Sequence, residues 1–333
     1  MKNPFTLFTT LRRPSRVAKA LLTSAFVAVV AVGTSASAAE SFMKGRRFAV
    51  TDYSANKIAI VEANGDVSWT HPAKESNDIW ILPGGTLLFG TGTGVKEVSI
   101  KDKSVKFEYT SQSEIFAVQR LANGNTFVGE CSSGKLLEIA PDGKTVVKET
   151  STLAKKITPK SPLPGGHGYM RNGRALPNGN YLVALYQARE AAEFNPAGEK
   201  VWSAKVPGGA HSVARLPNGH TLASGSDGQA RRGVPSALYE FDADGKEVWK
   251  VSNADLAGKP LYFASGFQVL PNGNILLCNW LGHGNFGKAP HMLEITREKE
   301  VVWTYADHKQ FKTISSVHVF GEGDAPLSGS DSH

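Results

Sequence analysis

Two histidines follow paired glycines: Pro164-Gly-Gly-His167 and Pro207-Gly-Gly-Ala-His211. Imidazole suits nucleophilic or proton-transfer work near neutral pH. Arg171 and Arg174 follow the first pair and could hold an anionic group. These four residues form the candidate catalytic set. A second set has the character of a ligand surface: Glu130, Tyr186, Gln187, Asp227, Arg231, Asn279, Trp280 and His283. Within it, Asn279-Trp-Leu-Gly-His-Gly284 has no counterpart elsewhere in the chain, which marks Trp280 as a contact residue. The glycine pairs read first as turn residues, and second as amide nests for an anion. Arg231-Arg232 reads as a solvated loop tip or as a cationic lip. His167, His211, His283, His291 and His318 lack the tight spacing of a metal site, so none is assigned. No Ser-His-Asp triad is assigned either, because a triad is recognised by geometry.

The elements that carry these residues are repeats. Leu82-Pro-Gly-Gly-Thr, Leu121-Ala-Asn-Gly-Asn, Leu176-Pro-Asn-Gly-Asn, Leu216-Pro-Asn-Gly-His and Leu270-Pro-Asn-Gly-Asn recur at intervals of 39, 55, 40 and 54 residues. Asn-Gly between apolar runs is a strong hairpin signal, because both residues accept positive φ. A second phrase interleaves with the first. It runs Ile60 to Trp69, Phe194 to Trp202 and Phe241 to Trp249, with Glu138-Ile-Ala-Pro-Asp-Gly and weaker copies at Val98 and Ile295. Each unit therefore reads as strand A, tight turn, strand B, loop, strand C, tight turn, strand D. Four antiparallel strands at this period make a propeller blade. Trp69, Trp202, Trp249 and Trp303 share one repeat position and read as blade packing.

Counting the units predicts an all-β, six-bladed β-propeller of four-stranded antiparallel blades. Five units begin near Asn77, Ile115, Tyr169, His211 and Gly266. Residues 46–71 supply only strands B, C and D. Ser316-Val-His-Val-Phe320 resembles Gly266-Phe-Gln-Val-Leu270 and supplies the missing strand A. The C-terminal strand should pair with the N-terminal strands and close the ring, leaving no raw edge there. Both tight turns of each blade fall on one face. The longer loops, 151–168, 186–191, 226–236, 252–265, 280–291 and 306–314, fall on the other. Function concentrates on irregular loops held by a rigid scaffold, so the long-loop mouth of the channel is the expected site. Asp52 and Tyr53 hold the equivalent place in the split blade.

Residues 1–39 read as a signal peptide. Lys2, Arg12, Arg13, Arg16 and Lys19 precede an apolar run from Ala20 to Val32, and small residues follow it. Cleavage is expected after Ala38 or Ala39, by the general secretory route in preference to the twin-arginine route. The domain expectation is thus 1–39 signal, 40–322 propeller and 323–333 flexible tail, in a periplasmic or secreted protein. Removing the leader takes the net charge from +7 to +2, with 32 Lys and Arg against 30 Asp and Glu. That balance gives no reason to expect nucleic acid. No second apolar stretch is long enough to span a bilayer. Cys131 and Cys278 fall in opposite blades and read as buried free thiols.

The Leu-Pro-Asn-Gly-Asn hairpins and Asp-Gly-Lys-x-Val-Trp turns resemble the repeats of PQQ-like propellers and arylsulfotransferase-like propellers. The likeness covers most of residues 46–320. The quinoproteins carry adjacent cysteines and a calcium-bound quinone, and this chain shows no such pair, so the cofactor stays unknown. His211-Ser-Val-Ala-Arg-Leu-Pro-Asn-Gly219 is similar to the histidine-bearing strand of the arylsulfotransferases. That resemblance implies a covalent adduct on His211, with His167, Arg171 and Arg174 stabilising the sulfuryl oxygens. The arylsulfotransferases' extra N-terminal domain and closely spaced cysteine pair have no counterpart here. Three functions are then open: a monomeric exported propeller binding a small-molecule or protein ligand at the channel mouth, an enzyme acting on an anionic ester, or a scaffold of an envelope complex. Propellers serve all three.

Overall fold

A computed structural model describes residues 40–153, 168–226, 236–256 and 258–329. The expected leader, His167, Asp227, Arg231 and Arg232 lie outside the described residues.

The described chain folds into twenty-four strands in six four-stranded sheets. Blade I holds β1 (Phe48–Asp52), β2 (Lys57–Val61) and β3 (Val67–Pro72). Blade II holds β4 (Ile79–Leu82), β5 (Thr86–Thr91), β6 (Gly94–Ser99) and β7 (Val105–Thr110). Blade III holds β8 (Ile115–Arg120), β9 (Thr126–Glu130), β10 (Lys135–Ile139) and β11 (Val146–Ser151). Blade IV holds β12 (Met170–Ala175), β13 (Tyr181–Leu185), β14 (Glu190–Phe194) and β15 (Lys200–Lys205). Blade V holds β16 (Gly209–Arg215), β17 (Thr221–Ser226), β18 (Ala237–Phe241) and β19 (Glu247–Ser252). Blade VI holds β20 (Ala264–Val269), β21 (Ile275–Asn279), β22 (Met292–Ile295) and β23 (Val301–Tyr305). β24 (Ser316–Val319) then returns to blade I and pairs antiparallel with β1, Phe48 opposite Val319 and Thr51 opposite Ser316. The ring closes as the repeat count requires.

The first strands of the blades touch one another in an unbroken circle, β24, β4, β8, β12, β16 and β20. These are the inner strands. Six buried apolar clusters fill the six seams between neighbouring blades. The inner three strands of a blade are therefore buried on both faces, while the outer strand alternates, as in β15 and β19. Burial of this kind contributes roughly 25 cal/mol per Å² of apolar surface.

The repeat residues have visible jobs. A Glu on the third strand gathers the tight A–B turn: Glu193 accepts from Asn178 and Asn180, and Glu138 from Asn123 and Asn125. In blades II and IV the Glu at this position also pairs with an Arg of the next blade, Glu97 with Arg120 and Glu193 with Arg215, each at 2.6 Å. The same Arg lies over an outer-strand ring, 5.0 Å from Trp202 for Arg215 and 5.0 Å from Phe107 for Arg120. The recurrent tryptophans are packing residues. Glu294 accepts from Ser41 Oγ and the amides of Phe42 and Met43, which ties the N-terminal segment to blade VI.

Side chains on or beside the inner strands also lock four of the blades to the backbone of the next. His318 Nδ1 accepts from the Ile81 amide at 2.7 Å, Asp78 from Val118 at 2.9 Å, Gln119 from Ala175 at 3.0 Å and Gln268 from Val319 at 2.9 Å. Both cysteines are buried and unpaired. No helix among the described residues is long and apolar enough to cross a membrane.

Candidate functional site

Four neighbouring inner strands carry a β-bulge near their long-loop ends. In β8 Phe116 is surplus between Ile115 and Ala117. In β12 Arg171 and Asn172 stand opposite one partner residue. In β16 His211 is surplus, and in β20 Ser265 and Gly266 span the same kind of shift. The inner strands β4 and β24 pair regularly. A bulge re-aims the side chain of its extra residue. Here that device brings Phe116, Arg171 and His211 together at the channel mouth. The Arg171 guanidinium lies between two rings, 4.6 Å from the centroid of Phe116 and 4.7 Å from that of Tyr186. The His211 ring meets Phe263 edge-on at 5.3 Å and Phe116 at 6.5 Å.

A cavity of about 170 Å³ opens there, lined by Tyr53, Asn77, Arg171, Tyr186, His211, Phe263, Trp280 and His283. Residues from five blades or their loops contribute, and Phe116 backs Arg171 from the sixth. Trp280 anchors one wall, edge-on to Tyr53 at 6.1 Å, Phe263 at 5.3 Å and His283 at 5.0 Å.

Two glycines make room for these walls. A Cβ on Gly209 would sit 2.3 Å from Tyr186 Cε2, and one on Gly282 would sit 2.0 Å from Trp280 Cη2. The glycine of Pro-Gly-Gly-Ala-His is thus the seat of the Tyr186 ring, while Gly208 before it takes the positive φ of +80°. His283 lies between Gly282 and Gly284 with φ +54°. A non-glycine residue held there stores strain, a recurrent mark of functional loops.

The electrostatics are simple. Burial holds the His211 imidazole well below its usual pKa, and Arg171 reinforces this, so the ring is neutral. Its Nδ1 lies 3.4 Å from Ser212 Oγ. Burial raises the Tyr53 phenol to about 12, with Glu114 and Glu75 adding to the effect. Among the described residues, Arg171 Nε is buried and has no hydrogen-bond partner. A buried donor left open in this way costs free energy until something accepts from it.

The other candidates lie elsewhere. Arg174 does not reach this cavity. It forms a bidentate pair with the buried Asp78 at 2.8 and 3.1 Å, across the channel from blade IV to blade II. Its guanidinium also lies 5.1 Å from the Trp80 ring. Glu130 accepts from the hydroxyls of Ser111 and Ser133 and steadies the neighbouring loops. Asn279 is fully buried and bonds the amides of Tyr262 and Phe263 and the carbonyls of Pro260 and Pro290. It shapes the loops beside Trp280 without facing the cavity. Gln187 is exposed and lies close to Gly168. Asp52 is buried and holds the amides of Ala55, Lys312 and Thr313. Tyr53 beside it does line the cavity. Phe263, Asn77 and the backing Phe116 carry no repeat-breaking signal in sequence, and a bulge leaves none to read. Among the described residues no group of three or more His, Cys, Asp or Glu is placed to hold a metal.

A wider hollow of about 750 Å³ lies on the tight-turn face, among the turns of blades III, IV and V. Its arginines Arg120, Arg174 and Arg215 are already paired with Glu97, Asp78 and Glu193. The long-loop mouth is the better candidate because, among the described residues, its Arg171 lies between two rings and has no ion-pair partner.

Fold and mouth together define a six-bladed β-propeller with a small, aromatic-walled cavity at one end of its channel. Among solved structures, a protein of unknown function from Bacteroides caccae superposes with a TM-score of 0.71 at 27% identity, over 84% of this chain and all of that one. The WD40 propeller domain of Doa1 aligns at 0.50 and 11% identity, over 72% of this chain and 73% of its own. A streptogramin B lyase aligns at 0.50 and 12% identity, over 84% and 91%. The last two share the fold alone. No family profile and no curated protein matches the chain.

Proposed function

We propose that this is an exported propeller that binds a small ligand in the long-loop mouth. The observation that carries the reading is Arg171. Its guanidinium faces a cavity, is stacked between two rings, and leaves Nε open. A guanidinium fixed in this way is pre-organised for an acceptor. Export is supported by the leader pattern of residues 1–39. Thermal-shift screening of the mature chain tests the binding. Hits should raise the melting temperature of wild type and not of Arg171→Gln. A broad library with no Arg171-dependent hit would sink the proposal. Cell fractionation with N-terminal sequencing tests export.

A second reading is transfer or hydrolysis of an anionic ester. Its specific support is His211, a neutral imidazole lining the same cavity as Arg171. A neutral ring nitrogen is nucleophilic, and the guanidinium would stabilise developing charge. Turnover of an aryl sulfate by wild type, lost in His211→Ala, would support it. Binding without turnover leaves the first reading alone.

A further inference from the structure

We infer that the mouth selects a small organic monoanion whose flat apolar body is no larger than a single six-membered ring. The inference rests on reading the mouth as a ligand site. Size comes first. The cavity holds about 170 Å³. Drug-sized ligands occupy roughly 300–1,000 Å³, whereas a void near 150 Å³ takes a benzene. One ring fits, with its polar substituent directed at Arg171.

Shape comes second. Trp280 meets Phe263 and Tyr53 edge to face, at 5.3 and 6.1 Å, and all three rings line the cavity. Aromatic walls arranged like this favour a flat guest that makes the same offset and edge contacts.

Charge comes third. Among the described residues Arg171 is the only lysine or arginine lining the cavity. The imidazole beside it is held neutral by burial and by Arg171 itself. Asn77 is an amide whose Nδ2 already donates to the Glu75 carbonyl at 3.1 Å. Within the described lining, then, one negative charge is matched. The charges of Glu75 and Glu114 both help to raise the Tyr53 phenol, so negative potential already reaches that wall. A carboxylate, a sulfonate or a sulfate ester presents the single charge required, and its planar or forked oxygens suit a guanidinium. A phosphate monoester carries close to two charges at neutral pH and above.

Isothermal titration of the mature protein at pH 8 tests this with a fixed probe set: benzoate, phenyl sulfate, phenyl phosphate, benzamide, benzylammonium and 2-naphthoate. The expected result is that benzoate or phenyl sulfate binds at least tenfold more tightly than the last four. The two leading probes separate a carboxylate site from a sulfate-ester site. Arg171→Gln should bring the preferred monoanion down to the benzamide level, and Arg171→Lys should retain part of the gap. Gly209→Ala, which pushes the Tyr186 ring into the cavity without removing charge, should weaken every probe together. Equal binding of benzamide, benzylammonium or 2-naphthoate would overturn the monoanion and one-ring assignment while leaving a ligand site in place. Tighter binding of phenyl phosphate would overturn the single-charge argument. No heat with any probe, together with a thermal-shift hit from another class, overturns the assignment. No hit from any class overturns the ligand site itself.

Discussion

Gly209 and Tyr186 are a matched pair: the phenol ring lies where the side chain of any other residue at 209 would begin, 2.3 Å from a Cβ to Cε2. Gly209 opens β16 and Tyr186 follows β13, so two neighbouring blades meet at this one contact. The far end of a side chain yields more easily than backbone. Gly209→Ala should therefore move the ring and not the strand. Ligand affinity should fall about tenfold, while stability changes by no more than about 1–3 kcal/mol, the usual range for overpacking. Titration beside urea melts separates the two. A loss of stability far above that range, with binding intact, would contradict the assignment.

The Asp78–Arg174 pair should behave as a buried plug and not as catalytic equipment. Arg174→Met strands a fully buried carboxylate, and removal of one partner from such a pair costs about 3–5 kcal/mol. The double change Asp78→Asn with Arg174→Met should recover much of that, since asparagine can still accept from the Val118 amide. Urea midpoints of the four proteins make the cycle. Additive losses would show that the two groups do not act together.

Acid should loosen the ring before it harms an ordinary propeller surface. Burial, reinforced by Arg174, lowers His318 to about 3, and burial, reinforced by His308, lowers His291 to about 4. His211 is lowered as well. Each imidazole is neutral when folded and takes a proton more readily when unfolded, near 6.5. Its contribution is complete above that value and is lost as pH falls toward the folded pKa. For His291 alone the loss is on the order of 3 kcal/mol at 1.36 kcal/mol per unit. Protonation of His318 also removes the acceptor that holds the Ile81 amide. Denaturant midpoints should drop between pH 6.5 and 4. A flat profile across that window would exclude the buried neutral state.

Both thiols should resist modification in the native protein. Burial raises Cys131 to about 12 and pushes Cys278 further up. A disulfide-exchange reagent at pH 8 should label neither until guanidinium is added. Rapid native labelling of Cys131 would mean that the mouth opens far more than the structure shows.

Removing residues 315–333 takes away β24 and leaves β1 with an unpaired edge. The product should aggregate or fail to melt cooperatively. A soluble truncation with a sharp transition would be incompatible with the closure.

The architecture was readable because it repeats. Leu-Pro-Asn-Gly and Asp-Gly-x-x-Val-Trp report turns and packing at each blade, and the stray Ser316–Phe320 strand could be assigned by likeness to its counterpart at Gly266. The mouth was readable only in part. Arg171, Tyr186, His211, Trp280 and His283 stand out by type and by breaking the repeat, and they do meet around one cavity. Arg174, Glu130 and Asn279 stand out equally, yet each is spent on holding structure, because type and position say nothing of which way a side chain turns. What turns Arg171 and His211 inward is a bulge in each strand, and a bulge is an offset of one or two residues against a partner strand. Such an offset is a property of pairing, and it leaves no mark in one strand alone.

The strand that completes blade I is also the last of the described strands in chain order. β1 precedes the other described strands and must wait for β24 while twenty-two strands, β2 to β23, are synthesised between the two. A chain halted anywhere before Ser316 therefore carries an unfilled place in its first sheet, open to capture by a chaperone or a protease. Closing it joins segments far apart in the chain, a contact with a high loop-closure cost. The ring thus reports its own assembly: blade I is complete only once Ser316–Val319 has been made.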